Sequence, residues 1–286
     1  MRAAAGANGN GSILVAFDGS PAAGATAGSA IQIARSEHRA IRGLYVVDDA
    51  LIMNPYANHQ VELGSVAERK SRANLLAQFQ RRGEGRLAWL AGRCRAAQVP
   101  VTVDIVLGKV PEQVLQAAGE AVLLALGRCG HGHAADPSRL GRHFRAIAHH
   151  APCPLLVGGA QEREVRRLLL AYNGSVRARR ALTWTVRLQR ALPAEVVVVS
   201  VQHSERDTVR EWSQEARNRL DEGDLAHYRF LTRAGEPVSE IVTAATEHQA
   251  DFILMGGYRH TAAMEWLVGS TVDGVLRRAR LPIVVA

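Results

Sequence analysis

The chain has 286 residues, enough for two domains of ordinary size that each bury a core. Its 35 basic residues against 27 acidic ones leave a formal charge of +8, carried by arginine with only Lys70 and Lys109 as lysines. These charges are scattered among acids and not interleaved with aromatics, so a nucleic-acid partner is not expected, and no apolar run is long enough to span a membrane.

In chain order, residues 1–11 are rich in Ala, Gly and Asn and read as a disordered tail rather than a signal peptide. The apolar run Ile13 to Phe17 is a buried strand ending at Asp18. Ser20 is placed as an N-cap with Pro21 at the first helical position, and Ala27, Ala30, Ile31 and Ala34 give the helix a small-residue face for packing on a sheet. Gly43 to Val47 is a second strand ending at Asp48 and Asp49. Strand, helix and buried strand imply a right-handed parallel crossover, with ligands expected beyond the carboxyl ends of the strands. Residues 49–100 form a helical insertion longer than the corresponding stretch of the second half. In it Leu75, Leu76, Phe79, Leu87, Leu90 and Cys94 recur at helical spacing, interrupted by Gly83 and Gly85, which predicts one broken helix or two short ones. A strand at Val101–Val106, a helix at Val110–Ala118 and a strand at Val122–Leu126 follow, then Gly127, Gly130 and Gly141, and a closing strand in Pro152–Val157.

The polar, glycine-bearing run from Gly158 to Glu164 contains the linker, 160–164, and the order then repeats. A strand at Leu168–Tyr172 leads through Asn173-Gly174-Ser175 into a helix carrying Ala181, Trp184, Leu188 and Ala191 on one face. Strands at Val196–Val201 and His227–Thr232, a charged helix at Thr208–Leu220 and a helix at Val238–Glu247 precede the last unit. That unit is Phe252–Met255, Gly256-Gly257, Gly269-Ser270-Thr271, a helix, and Ile283–Val285. The two segments, each running from strand and Gly-Ser to glycine loop and final strand, mark an internal duplication. The expected domains are 12–159 and 165–286, and the fold class is α/β, two tandem doubly wound five-stranded parallel-sheet sandwiches.

Glycine turns placed after buried strands and before helices suit a phosphate site, because glycine lets the backbone approach an anion and the free N–H groups at a helix start favour its charge. Other chemistries find little support. His131-Gly132-His133, with Cys129, His143, His149 and His150 nearby, lacks the ligand spacing of a zinc site and reads as a solvated loop and helix. Asp48 and Asp49 read as solvated caps, and no nucleophile–base or paired-carboxylate motif is present. Cys94 and Cys153 read as core thiols. Three cysteines make no paired framework, in keeping with a cytoplasmic address.

From about Ser12 to Ala286 the chain resembles tandem members of the universal stress protein family. The resemblance is carried by Val-Ala-Phe-Asp-Gly-Ser at the start, Gly235-Glu236-Pro237, the buried strand leading into the glycine loop, and Ala151-Pro152-Cys153-Pro154-Leu155-Leu156-Val157. It implies the fold of the adenine nucleotide α-hydrolase type and, in some members, ATP binding through Gly, two residues, Gly, nine residues, Gly, Ser or Thr. Carried over, this pattern falls in the second half on Gly256, Arg259 in place of the second glycine, Gly269, Ser270 and the adjoining Thr271. In the first half it falls on Gly127 and Gly130, with Gly141 one residue late and Arg142 in the hydroxyl position. The acid near ribose or base corresponds to Asp18 and to Asn173, and Val46 and Val201 match the position whose backbone meets adenine. Arg142 and Arg259 either supply charge to a phosphate or close the site.

The resemblance implies a stress-response regulatory protein that binds ATP or AMP, with or without Mg2+, in at least one site, the second favoured. Reaction chemistry is at most slow ATP hydrolysis. The alternative is a protein with both sites decayed, no cofactor, and unidentified protein partners. Family members dimerise through the last strand, so a tandem chain is expected to form an intramolecular pseudo-dimer, pairing Leu155–Gly158 with Ile283–Val285, with homodimers of the whole chain a further option.

Overall fold

The structure, a computed structural model, describes residues 11–53, 72–130, 140–160, 164–205, 208–257 and 271–286. The tail at 1–10, the middle of the insertion, His131 and His133, and the site residues Arg259, Gly269 and Ser270 lie outside the described residues.

The first half contains β1 (Ile13–Ala16), α1 (Pro21–Ser36), β2 (Ile41–Asp48), α2 (Asp49–Met53), α3 (Arg72–Ala96), β3 (Val101–Gly108), α4 (Val110–Ala118), β4 (Leu123–Leu126), α5 (Arg142–His150) and β5 (Leu155–Val157). The second contains β6 (Arg167–Ala171), α6 (Val176–Ala191), β7 (Glu195–Gln202), α7 (Val209–Asn218), α8 (Glu222–Leu225), β8 (Tyr228–Ala234), α9 (Pro237–Glu247), β9 (Phe252–Met255), α10 (Thr271–Arg278) and β10 (Ile283–Val285). The ten strands of the described residues join one sheet in the order β3-β2-β1-β4-β5-β10-β9-β6-β7-β8, so each half has the same internal order, run in opposite directions.

Within each half the pairings are parallel, as the buried apolar strands and helical crossovers demand. The junction alone is antiparallel: Val157, Leu156 and Leu155 of β5 lie opposite Ile283, Val284 and Val285 of β10. This is the strand pairing the resemblance implies. It turns two would-be sheet edges into the centre of a continuous sheet, which removes unpaired backbone groups from solvent.

Strand side chains alternate between two cores. Ile13, Val15, Leu168 and Leu170 pack with α1, α3 and α6, while Leu14 and Leu169 pack with α5, α9 and α10 on the other face. The helix starts follow the sequence signals. Ser20 Oγ accepts from Ala23 N at 3.2 Å, and Ser175 Oγ from Ala178 N at 3.2 Å.

The insertion differs from the expectation of a broken helix. α3 runs unbroken from Arg72 to Ala96 through Gly83 and Gly85. Gly83 is buried against Tyr45 of β2, where a Cβ would stand 2.5 Å from the ring, so this glycine is a point of close packing and not an interruption.

Candidate functional site

The carboxyl ends of β1, β2 and β4 gather the first set of candidate residues. After β1, Asp18 Oδ1 accepts from Ser20 N at 2.9 Å, and Gly19 turns the chain with φ of 77° into α1. After β4, Gly127 passes so close to the start of α1 that a Cβ would lie 2.9 Å from Ala23 N. Ser20 Oγ donates to Cys129 O at 3.2 Å, and a Cβ on Gly130 would meet Asp18 Oδ2 at 3.0 Å. Gly141 N donates to Arg128 O at 2.9 Å, and Gly141 then caps α5 without a side chain. Asp18, Gly127, Gly130 and Gly141 are thus brought together around one loop, with Val46 near the end of the neighbouring β2.

Arg142 opens α5 and faces Asp48, its Nη2 3.8 Å from Oδ2, while His143 Nε2 lies 3.7 Å from the same oxygen. Asp48 also accepts from Ala50 N at 3.1 Å, capping α2 as the sequence suggests, but its side chain is only 14% exposed and not solvated as expected. Arg142 and His143 of α5 approach it from one side. Burial and the neighbouring Arg142 hold His143 below the usual imidazole range against the pull of Asp48, so the ring is largely uncharged at neutral pH. A carboxylate therefore stands beside the first two side chains of α5.

The second set repeats the scaffold with different side chains. Asn173 Oδ1 accepts from Ser175 N at 3.3 Å, and Gly174 turns with φ of 68°. Gly256 runs against the start of α6, where a Cβ would stand 2.9 Å from Ala178 N, and Gly257 N donates to Ala286 O at 2.7 Å. Val201 lies in β7 opposite Arg233 of β8, and Thr271 begins α10. Where the first half has Asp48, the matching strand register puts His203, whose Nδ1 contacts Gly235 O at 3.2 Å. α10 carries Asp273 in its first turn, and Arg145 of α5 lies 3.6 Å from it, offsetting the negative charge there.

A sequence pattern defined by the Universal stress protein family matches residues 9–157 and again 164–286. The chain belongs to the universal stress protein family. Universal stress protein Slr1230 of Synechocystis sp. is 24% identical over 167 residues, 58% of this chain and 58% of that relative's length. The fold is similar to a solved universal stress protein from Archaeoglobus fulgidus, with a TM-score of 0.74 at 18% identity, covering 96% of this chain and 97% of that one. It is also similar to a putative universal stress protein from Pseudomonas aeruginosa, with a TM-score of 0.60 at 15% identity, covering 97% and 93%.

Relative to this universal stress protein scaffold, sequence reasoning missed three residues. Arg86 of α3 lies over the Tyr45 ring at 5.6 Å and fills the space beside Gly19, where a Cβ would be 2.6 Å from its Cδ. Trp212 does the same beside Gly174, at 2.7 Å. Arg128, between the first two glycines of the first loop, points away from the loop into the other half. No motif marks these positions. Among the described residues no group of three or more His, Cys, Asp or Glu is placed to hold a metal, and no helix is long and apolar enough to cross a membrane.

Proposed function

We propose that the protein is a cytoplasmic stress-response regulator that binds one adenine nucleotide, ATP or AMP, in its second half, with no efficient reaction of its own. The observation that carries the choice of half is the exchange of Asp48 for His203 at matching strand ends. In the first half a carboxylate faces the start of α5 and engages Arg142 and His143, which opposes the arrival of a phosphate. In the second half no carboxylate occupies that position, and Arg145 offsets Asp273 at the start of α10.

The residues present suit a nucleotide. Gly256 keeps the loop tight on α6, in a space that a Cβ would fill. The backbone N–H groups opening α10, with Ser270 and Thr271 hydroxyls, would receive phosphate oxygens. The Asn173 side chain would hydrogen-bond ribose or base, and the Val201 backbone would meet adenine. A magnesium ion, when present, would be held mainly by the phosphates.

The test is direct. Protein denatured after purification should release ATP or AMP detectable by mass spectrometry, and calorimetric titration with ATP should give one site per chain. Gly269→Val combined with Ser270→Val should abolish both signals. No released nucleotide and no heat at millimolar ATP would overturn the reading and favour an interaction protein with both loops decayed.

A further inference from the structure

Among the described residues, Arg128, 7% exposed, and Asp224 are the buried charged residues. Arg128 sits inside the first glycine loop, yet its guanidinium crosses into the second half. Nη1 donates to Ala279 O at 2.9 Å and also to Leu276 O, and Nη2 donates to Gly158 O at 3.3 Å, just beyond β5. The acceptors Leu276 and Ala279 are among the carbonyls at the end of α10, which lack partners within the helix and carry the negative end of its dipole. The planar fork of arginine suits several carbonyls at once, and a cation is favourable there.

The arrangement has no mirror image. Matching positions of the two loops put Gly257 where Arg128 stands, and Gly257 uses its backbone N–H on Ala286 O instead. The other end of α10 is held from the first half too, through Arg145 and Asp273 at 3.6 Å. Helix α10 is therefore gripped at both ends by residues of the first half. Its own first residue, Thr271, is one of those the proposed nucleotide site would use.

We propose that Arg128 is a positioning residue through which the first glycine loop fixes helix α10 and, with it, the backbone N–H groups opening that helix, which the reading above assigns to the nucleotide phosphates. For nucleotide affinity this rests on the reading given above; for the placement of α10 it does not. Anything that displaces the first loop then changes the affinity of the second site, and the coupling runs through one rigid helix and one side chain.

The experiment compares Arg128→Met, Arg128→Lys and Arg277→Met in the full chain by hydrogen exchange and ATP calorimetry well below the melting temperature. Arg277 is exposed on the last turn of α10, so its replacement removes the same charge without touching the cross-domain contacts. Arg128→Met should speed exchange in peptides covering 271–286, leave those covering β6 and β7 unchanged, and weaken ATP binding about tenfold. Arg128→Lys should fall between, because one ammonium cannot serve all three carbonyls, and Arg277→Met should match the parent. Unchanged exchange in α10, or equal loss of protection throughout the second half, would overturn the proposal. Absence of ATP binding in the parent protein would count against the nucleotide reading alone, and the exchange data would still decide the role of Arg128.

Discussion

Gly83 of α3 rests directly on the ring of Tyr45 in β2: a Cβ at Gly83 would lie 2.5 Å from Tyr45 Cδ1 and 2.8 Å from Cε1. Two residues along the same helix, Gly85 is exposed and a Cβ there would meet nothing within 4 Å. Replacing a helical glycine by alanine gains about 1 kcal/mol from propensity alone. At Gly85 that gain is unopposed, so Gly85→Ala should stabilise by about 0.5–1 kcal/mol. At Gly83 the tyrosine ring must shift, at a cost of about 1–3 kcal/mol for overpacking, so Gly83→Ala should be neutral to destabilising by about 2 kcal/mol. Urea melts of the two variants decide it. Equal stabilisation by both would mean that α3 does not seat on Tyr45.

The arginine in the hydroxyl position of the first loop gives a second expectation. Arg142 is 74% exposed and 3.8 Å from Asp48, so the pair contributes about 0–1 kcal/mol. With the nucleotide in the second half, Arg142→Ala should leave the ATP dissociation constant within about twofold, or about 0.4 kcal/mol. A loss of tenfold or more would move the nucleotide to the first half and make Arg142 its phosphate ligand.

What the sequence made legible is whatever depends on local rules. Ser20 caps its helix as expected because a hydroxyl placed before a helix start has one obvious donor to satisfy, and the same rule holds for Ser175. The strands of both repeats are short apolar runs bounded by glycine and polar turns, and a parallel sheet buried on both faces has little other way to read. The antiparallel contact of Leu156 with Val284 came from family resemblance, since nothing in either apolar strand names its partner. The unbroken α3 was hidden because the penalty of Gly83 is visible in sequence while the ring that needs a glycine there is not. Arg128 was hidden for a similar reason: its acceptors are backbone carbonyls, one 30 positions away and two at 148 and 151, and a carbonyl has no sequence signature.

The thiols provide a third check. Burial raises the pKa of Cys94 to about 11 against the opposing pull of Arg93, and that of Cys153 to about 11 against backbone hydrogen bonds. Only the thiolate reacts with an alkylating agent. At pH 8 both should therefore label with iodoacetamide on the order of a hundredfold more slowly than free cysteine, whose pKa is about 8.5. Mass spectrometry of timed samples reads each site separately. Labelling of either at the free-thiol rate would show that its burial is not maintained in solution.

The last expectation concerns pH and the Gly235-Glu236-Pro237 turn. Glu236 Oε2 accepts from Ser239 N at 2.7 Å and Oε1 from Val238 N at 3.0 Å, closing the start of α9. These backbone donors, first Ser239 and then Val238, with help from Arg278 and His203, hold its carboxyl below the usual glutamate range. A depressed folded-state pKa means that the carboxylate stabilises the fold above its unfolded value of about 4.3, and that this contribution is lost as pH falls through the folded value. The side chain is half exposed, so solvent and salt screen it, and a charge at a helix start contributes about 0.5 kcal/mol here. Glu236→Gln should therefore lower the melting temperature by about 1–2 °C at pH 7. The gap should persist down to about pH 4.3, narrow below it as the parent's carboxylate is protonated, and shrink in high salt. A gap that stays constant through pH 3 would assign the effect to hydrogen-bond geometry and not to charge.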